Sequence, residues 1–422
     1  MEHYKVPGIA IVIIKDGKIV LNKGYGISRS DDSIRVSTKT LFQAGSIAKS
    51  ITAPGVIRLG EKGILDLDRN IDEYIKNWNL PKNPYKKPVT LRMLLSHTSG
   101  MINNNYKGFP QNEDVPSLNM VLDGIGKYKP AQLDTVPGVR YQYSNVGYGV
   151  IQRIVEDVVG KPFEIVMEEE VFMPFDMTHS TFERRRKGND ENISYAYNRK
   201  GEIVPGYWYN AGIKASGGLW TTAEDLAKFM MNMQQEFSKR ALLEMITPVK
   251  ATYGLGFNVK GEKDTVAFYH SGKNVGYTNF MIGYVQQGDG VIVLTNADNG
   301  GYLFSEIIRG ISDLNQWDFM KPKELETVNI KKEVLDVYVG TYELTLGVDL
   351  YTLKVERDGS HLKLIDLDEN NEEYPLRALS ETKFRDINDG EKVDFIKDKE
   401  GNIILLWDEQ YRFKRKETVK EN

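Results

Sequence analysis

Apolar residues follow two different periods over the first sixty residues. From Gly8 to Lys15 they form a nearly continuous β-branched run, which is typical of a buried strand. The turn pair Asp16-Gly17 follows, and alternation resumes from Lys18 to Tyr25, so the pattern predicts a β-hairpin. After Gly45 the apolar positions recur at helical spacing, which predicts a helix that ends near Gly63.

Helices and long loops are predicted for the middle of the chain, and strands return after it. The predicted helices are Thr90–Leu95, Asn145–Val159, Phe163–Phe172 and Thr222–Gln235. The predicted late strands are Thr265–Tyr269, Tyr277–Gln286 and Val291–Asn296, followed by a closing helix at Tyr302–Trp317. Two early and three late strands around a helical stretch favour an α+β fold, an antiparallel sheet flanked by helices with a large helical insertion.

A different pattern begins after the stretch Pro322–Asn329, which we interpret as a linker. Seven short alternating strands are predicted between 337 and 414, and turn residues join neighbouring strands directly. This pattern favours an up-and-down β-barrel. The chain is therefore predicted to have two domains, residues 1–321 and residues 330–422.

Composition excludes several classes of function. The chain has 422 residues, 41% of them hydrophobic, and a net charge of −4, so no basic field favours nucleic acid or an anionic membrane. Cysteine is absent, which excludes disulfides and a thiol nucleophile. No apolar run approaches the roughly 20 residues of a membrane span, and the start of the chain lacks a signal-peptide pattern. We expect a cytoplasmic protein unless a leader has been removed, with no metal site and no cofactor.

Ser46 and Lys49 are the first candidates for chemistry. They lie three residues apart at the start of the predicted helix, so their side chains share one face. A buried lysine with a lowered pKa can take a proton from a neighbouring serine. The same spacing recurs at Ser360–Lys363. A serine that caps a helix, followed by an exposed lysine, is the alternative interpretation of Ser46 and Lys49.

Two later segments add polar groups. Tyr143 lies in the loop that opens the helix at Asn145–Val159, and Asn145 begins that helix; a tyrosine there can relay protons and an amide can hold a substrate. His270 and Gly272 follow the strand at Thr265–Tyr269, where backbone N–H groups can stabilise an oxyanion. Taken singly, a helix cap and a strand-end histidine are equally good interpretations.

Taken together, six motifs in one order resemble the serine β-lactamase-like, penicillin-recognising family, in particular its CubicO-group peptidases, D-Ala-D-Ala carboxypeptidases, D-aminopeptidases and esterases. The resemblance covers roughly Val6 to Trp317. The motifs are Val6-Pro7-Gly8, Phe42-x-x-Gly45-Ser46-x-x-Lys49, Leu94-Leu95-Ser96-His97-Thr98-Ser99-Gly100, Tyr143-Ser144-Asn145, Gly217-Gly218-Leu219-x-Thr221-Thr222-x-x-Asp225-Leu226 and His270-x-Gly272.

The resemblance implies an acyl-enzyme mechanism with Ser46 as the nucleophile. Lys49 and Tyr143 share the roles of general base and proton relay, and which one removes the serine proton stays open. The resemblance also implies that Asn145 binds a substrate amide or tunes Lys49, and that the N–H groups of Ser46 and Lys273 form an oxyanion hole.

Ser271, Gly272 and Lys273 are the remaining expected substrate-binding residues. His270, expected to be catalytic, stands where β-lactamases usually carry lysine, and histidine is only partly charged near neutral pH. This departure favours a peptidase or an esterase over a β-lactamase. His97 is interpreted as ordering its loop.

The sequence therefore predicts a serine peptidase that hydrolyses short peptides, with D-residues among the possible substrates. A carboxylesterase and a penicillin-binding sensor with little turnover are the alternatives. The expected partners are a peptide or a small ester or amide, with no nucleic acid and no membrane, and the chain is expected to form a homo-oligomer.

The C-terminal barrel resembles a lipocalin. In related peptidases such a domain covers the active-site cleft, and a stability or oligomerisation module is the alternative.

Overall fold

A computed structural model describes residues 1–416 except 105, 127, 186, 189–191, 322–323, 347–348, 369–370, 388–389 and 409–410. Contacts between residues divide the chain into two compact units, Met1–Ile308 and Arg309–Asn422. This division falls inside the last long helix, so the predicted domain limits at residues 321 and 330 stay a prediction.

The elements of the first unit match most of the predicted ones. Its helices, including the one that runs into the second unit, are α1 (Ile47–Glu61), α2 (Leu91–Leu95), α3 (Leu118–Leu122), α4 (Asn145–Val159), α5 (Phe163–Met167), α6 (Lys214–Gly217), α7 (Ala223–Glu236), α8 (Lys239–Met245) and α9 (Gly300–Leu314). Its strands are β1 (Gly8–Lys15), β2 (Lys18–Arg29), β3 (Ile34–Arg35), β4 (Phe42–Gln43), β5 (Phe109–Pro110), β6 (Tyr209–Asn210), β7 (Trp220–Thr221), β8 (Asn258–Lys260), β9 (Ala267–Asn274), β10 (Tyr277–Tyr284) and β11 (Asp289–Thr295).

Seven of these strands form the central antiparallel sheet, in the order β3-β2-β1-β11-β10-β9-β8. The N-terminal strand β1 pairs with the late strand β11, so the helical insertion leaves the sheet after β3 and returns to it at β8. Helix α1 packs against β9, and α7 packs against β1 and β11. Phe304 of α9 stacks on Phe280 of β10. The predicted α+β class, an antiparallel sheet flanked by helices, is confirmed.

Three local predictions need correction. Strand β9 does not end at Tyr269 but continues through His270 to Asn274, because residues 270–274 pair with β10. The predicted helix Phe163–Phe172 is α-helical only to Met167 and continues as one π-helical turn. Strands β3 and β8, which widen the sheet at its two edges, were not predicted, since each has only two or three residues.

The second unit contains the predicted barrel. A short helix α10 (Lys332–Leu335) precedes eight strands that close in sequential order. These strands are β12 (Gly340–Leu346), β13 (Asp349–Asp358), β14 (His361–Asp366), β15 (Glu372–Ala378), β16 (Lys383–Asp386), β17 (Lys392–Lys397), β18 (Ile403–Trp407) and β19 (Tyr411–Arg415). The up-and-down prediction is confirmed, with β16 as the strand that the prediction lacked.

The barrel interior is filled by its own side chains. Tyr338, from the turn before β12, stacks on Phe395 at a ring distance of 4.1 Å, and Leu353, Leu376 and Leu405 are almost completely buried beside them. This packing is that of a small filled barrel rather than of one built around a ligand. Among the described residues, every helix is too short or too polar to traverse a bilayer.

Candidate active site

Ser46 lies at the N-terminus of α1, where the chain leaves β4. Gly45 before it has a φ of +57°, a conformation that glycine adopts without strain, and this turn aims Ser46 toward the sheet. Ser46 has helical backbone angles and makes no side-chain cap for its own helix. Its hydroxyl is therefore not used as a helix cap, which was the alternative interpretation of the Ser-x-x-Lys spacing.

Lys49 lies one turn further along α1 with its ammonium nitrogen beside the serine. Nζ is 3.0 Å from Ser46 Oγ and donates to the carbonyl oxygen of Ser216 at 2.8 Å. The side chain is fully buried, and this burial lowers the pKa of Lys49 well below its usual value near 10.5. A lysine in this state is available as a neutral amine that can accept the serine proton.

Tyr143 closes the other side of Ser46. Its hydroxyl is hydrogen-bonded to the Ser46 side chain, and Lys49 Nζ lies 4.8 Å from the centre of its ring. Burial raises the pKa of Tyr143 above its usual value near 10. The phenol is therefore held in its protonated form, which suits proton donation better than proton abstraction.

His97 orders the loop that carries Tyr143, as the sequence indicated. Its ring lies 4.3 Å from the Tyr143 ring, and its Nδ1 accepts a hydrogen bond from the backbone N–H of Ser144 at 3.1 Å. Its own carbonyl accepts from the N–H of Gln142. His97 itself has a φ of +57°, so this contact is held by an unusual backbone conformation.

His270 lies in β9, on the face that α1 covers. It is only 3% exposed, and both ring nitrogens have partners: Nε2 is 3.0 Å from the hydroxyl of Tyr253, and Nδ1 is 2.5 Å from the carbonyl oxygen of Ser271. Burial, and secondly the nearby charge of Lys49, lower the pKa of His270 to about 4. The imidazole is thus neutral near neutral pH.

Two glycines allow α1 and β9 to approach closely. A Cβ on Gly272 would lie 1.9 Å from the carbonyl oxygen of Ala44, and one on Gly45 would lie 2.6 Å from the backbone nitrogen of Lys273. The backbone of Lys273 therefore lies directly beside the turn that carries Ser46. Strand β8 pairs with β9 only as far as Tyr269, so the edge of β9 beside Ser46 has no partner strand among the described residues.

The other predicted binding residues are placed less directly. Ser271 pairs with Phe280, whose ring packs against α9, so the side chains of Ser271 and Lys273 project from the opposite face of the sheet to His270 and Gly272. Their backbone groups, rather than their side chains, face the site. Asn145 begins α4. Its side-chain amide nitrogen lies 3.5 Å from the carbonyl oxygen of Asn104 and is not hydrogen-bonded to Lys49.

Sequence reasoning missed three residues of this site. Ser216 supplies the carbonyl that holds Lys49, while Tyr253 and Tyr148 are almost fully buried around the lysine and His270. The ring centre of Tyr148 lies 5.5 Å from Lys49 Nζ, and its hydroxyl donates to the carbonyl oxygen of Leu95. Tyr148 could have been predicted from the sequence, since it lies in the first turn of α4, shortly after Tyr143. Nothing in the sequence around Tyr253 distinguishes it from a core tyrosine.

No group of three or more histidine or carboxylate side chains within the described ranges could hold a metal ion. The polar groups around Ser46 are a lysine, tyrosines and histidines, which suit proton transfer and nucleophilic attack.

The comparison with family models shows which protein family the chain belongs to. The model described as Beta-lactamase matches residues 1–313. The chain belongs to the beta-lactamase family. This assignment confirms the predicted family, whereas the serine hydrolase activity and the narrower resemblance to the CubicO group stay predictions.

Relatives in the beta-lactamase family include proteins named for penicillin binding. Protein flp of Staphylococcus aureus strain MRSA252 is 24% identical over 311 residues, which cover 71% of this chain and 61% of that protein. Penicillin-binding protein 4* of Bacillus subtilis strain 168 is 26% identical over 377 residues, covering 80% of this chain and 79% of that protein. The chain thus spans less than two thirds of the length of the first of these relatives.

A solved structure resembles nearly the whole chain. The octameric penicillin-binding protein homologue from Pyrococcus abyssi is 28% identical, with a TM-score of 0.67, and the match covers 98% of this chain and 97% of that one. The two-part architecture, a beta-lactamase-type domain followed by a closed eight-stranded barrel, therefore also exists in a relative of known structure.

Proposed function

We propose that this member of the beta-lactamase family is a serine peptidase that hydrolyses short peptides through an acyl-enzyme on Ser46. The observation that carries the proposal is the 3.0 Å distance between Lys49 Nζ and Ser46 Oγ, with the amine fully buried. A neutral amine at hydrogen-bond distance is the arrangement that general-base activation of a serine requires.

In the proposed reaction the Lys49 amine takes the Ser46 proton as Oγ attacks the carbonyl carbon of the substrate. The backbone N–H groups of Ser46 and Lys273 stabilise the negative charge that develops on the carbonyl oxygen. As the bond to the leaving group breaks, the Tyr143 hydroxyl donates its proton to that group and takes up the proton held by Lys49, so the leaving group departs as an amine or an alcohol. Water then hydrolyses the acyl-enzyme with the same groups acting in the reverse sense. Asn145 is assigned to the binding of a substrate amide.

Covalent labelling tests the nucleophile. We expect a fluorophosphonate and a penicillin each to add one adduct to the protein, located on Ser46 by peptide mass spectrometry and absent from Ser46→Ala. Ser360→Ala is the matched control, because Ser360 has the same spacing to a lysine but lies in the turn between β13 and β14. No adduct on Ser46, together with unchanged turnover in Ser46→Ala, would contradict the proposal.

The substrate and the assembly state need separate measurements. Hydrolysis of L- and D-aminoacyl anilides, short peptides and nitrophenyl esters distinguishes a peptidase from an esterase, and turnover of esters alone would exclude the peptidase. The octameric state named for the Pyrococcus abyssi homologue supports the prediction of a homo-oligomer, which light scattering measures directly. The lipocalin-like character of the barrel and the cytoplasmic location stay predictions.

A further inference from the structure

The Lys49 amine carries a positive charge during the proposed reaction, and its surroundings lack an anion. Once it has taken the Ser46 proton it is an ammonium with three N–H groups. Ser46 Oγ, at 3.0 Å, and the carbonyl oxygen of Ser216, at 2.8 Å, accept two of them. Among the residues that the structure describes, no carboxylate pairs with Lys49 and no third oxygen accepts from it. The buried charge therefore needs a stabilising group that is not an anion.

Two tyrosine rings lie beside the Lys49 amine. Nζ is 4.8 Å from the ring centre of Tyr143 and 5.5 Å from that of Tyr148. A cation within about 6 Å of a ring centre is attracted by the negative potential of the ring face, and more strongly where water is excluded. Both Lys49 and Tyr148 are fully buried. The attraction acts on the ammonium and not on the neutral amine, so it grows as Lys49 takes up the proton.

The hydroxyl groups of these two tyrosines have different partners. The Tyr143 hydroxyl is hydrogen-bonded to the Ser46 side chain, so Tyr143 is also part of the proposed proton transfer. The Tyr148 hydroxyl instead donates to the carbonyl oxygen of Leu95 at 3.1 Å. Tyr148 therefore acts on Lys49 through its ring and not through its hydroxyl, which makes it the residue at which the effect of a ring can be measured separately.

The other titratable groups around Lys49 are neutral near neutral pH. His97 and His270 interact with Lys49 electrostatically, and burial lowers the pKa of both, to about 4 for His270. The hydroxyl groups of Tyr148 and Tyr253 are hydrogen-bonded to each other, and burial raises the pKa of both tyrosines. Lys49 is thus the group of this cluster that gains and loses a charge as the reaction proceeds.

We infer that Tyr148 is a positioning residue of the proposed reaction, and that the face of its ring stabilises the Lys49 ammonium that forms as Ser46 attacks. This inference rests on the proposed function, because it needs Lys49 as the base. The ring forms no bond: the proton moves from Ser46 Oγ to Lys49 Nζ, and the ring faces the charge that this transfer creates. The ring should therefore raise the pKa of Lys49 relative to the same site without it, which opposes the effect of burial.

A series of fluorinated rings at position 148 tests the inference without opening a cavity. Tyr148→Phe keeps the ring and should leave the pKa of Lys49 unchanged. Mono-, di- and trifluorophenylalanine at the same position withdraw electron density from the ring face and nearly keep its shape. We expect the pKa of Lys49 to fall step by step along this series, by about one pH unit in total. Carbon-13 NMR of the full chain, labelled at the lysine Cε, measures this pKa, and Lys49→Met identifies the signal.

The same series should change the kinetics in two linked ways. Because activity needs the neutral amine, the rising limb of kcat/KM for a nitrophenyl ester should move to lower pH as the pKa of Lys49 falls. The plateau should fall by about three- to thirtyfold, since the ammonium that forms during attack loses its stabilising ring face. A ring that only filled space would move neither quantity along the fluorinated series.

Tyr148→Leu removes the ring altogether, and the direction of its effect is diagnostic. Without the stabilising ring the pKa of Lys49 should fall, whereas a ring that only excluded water would leave a wetter site and a higher pKa. Tyr74→Leu is the matched control. Tyr74 is also a buried tyrosine whose hydroxyl donates to a backbone carbonyl, that of Asp66, and its loss should lower stability without changing the pKa of Lys49.

Two results would overturn the inference. One is a pKa of Lys49 that stays constant across the fluorinated series, and the other is a pKa that rises in Tyr148→Leu. If Ser46→Ala hydrolyses the ester as fast as the unsubstituted protein, the proposed function fails, and the role of Tyr148 in the reaction fails with it even where the NMR titration shows the expected fall. The titration and the turnover of Ser46→Ala thus separate the two failures.

Discussion

Two groups lie close enough to Ser46 Oγ to remove its proton, and burial affects them in opposite ways. For Lys49, burial disfavours the charged ammonium, so its pKa is lowered and the form that accepts a proton becomes available. For Tyr143, burial disfavours the charged phenolate, so its pKa is raised and the form that accepts a proton becomes rare. The structure thus favours Lys49 as the base, a choice that the sequence left open.

The pH dependence of kcat/KM tests this assignment. The base form of Lys49 is the neutral amine, so activity should be present above its pKa and lost as the pH falls through that value. Because the pKa is lowered, the rising limb should lie well below pH 10.5. Lys49→Arg, which stays protonated, should lower kcat/KM by about 10²- to 10⁴-fold. A nitrophenyl ester allows the profile to be measured over a wide pH range.

Tyr143→Phe is the variant that separates the two candidate bases. If Lys49 is the base, this variant should lower the plateau of the profile and leave its rising limb in place. A profile that loses its rising limb in Tyr143→Phe but keeps it in Lys49→Met would assign the base to Tyr143 instead. Circular dichroism of each variant checks that the fold is retained.

Residue spacing predicted the contact within one element, whereas Tyr143 and His270, from other elements, were predicted only through the family resemblance. Ser46 and Lys49 share a helix, so their contact follows from spacing alone, and it is present at 3.0 Å. Tyr253 reaches the site from a loop and Ser216 from the short helix α6, and both were missed. Their approach depends on how α1 packs against its neighbours, which residue spacing does not encode.

At the scale of elements, the start of α1 depends on one glycine whose substitution has two separable effects. Gly45 and Gly63 flank the same helix, with φ values of +57° and +72°, so alanine is strained at both positions. Only at Gly45 would the added Cβ meet another strand, at 2.6 Å from the nitrogen of Lys273, whereas nothing lies within 4 Å of a Cβ on Gly63.

Gly45→Ala should therefore damage catalysis, and Gly63→Ala should not. We expect Gly63→Ala to lose about 1 to 2 kcal/mol of unfolding free energy, the cost of a left-handed alanine, and Gly45→Ala to lose more, because its Cβ also overlaps the backbone of β9. Gly45→Ala should also lower kcat by about 10²-fold or more, because the Lys273 N–H would be pushed away from Ser46, beside which the proposed oxyanion hole needs it. Denaturant unfolding and steady-state kinetics measure the two effects. Equal kinetics in both variants would remove Lys273 from the site.

Local residue chemistry predicted the ends of elements well and failed where pairing extends them. Thr222 accepts a hydrogen bond from the N–H of Asp225 and Thr90 accepts one from Met93, so both helices begin where the sequence predicts. Strand β9 was predicted to end at Tyr269, since serine, glycine and lysine are weak strand formers. Pairing with β10 carries the strand five residues further, to Asn274, and this extension places His270 beside α1.

At the scale of the whole molecule, the change from helical to alternating periodicity predicted a second, all-β part. Its barrel closes with eight strands, and the one that was missed, Lys383–Asp386, has only four residues and one fully apolar position, Phe384. So short a strand is recognisable only once its neighbours form the barrel. Burial of Phe384 against Tyr338 and Phe395 shows why the strand is needed to complete the core.

The boundary between the two parts is a prediction that proteolysis can test. Contacts divide the chain after Ile308, inside α9, whereas the sequence predicts a linker that begins after residue 321. Proteases cut exposed extended segments in preference to helices. Limited trypsin digestion should therefore cut first after Lys323, because Pro322 blocks cleavage after Lys321, and leave two stable fragments. The N-terminal fragment should still acquire the fluorophosphonate adduct on Ser46. Lys323→Gln should slow the first cut, whereas a first cut after Arg309 would move the boundary into the helix.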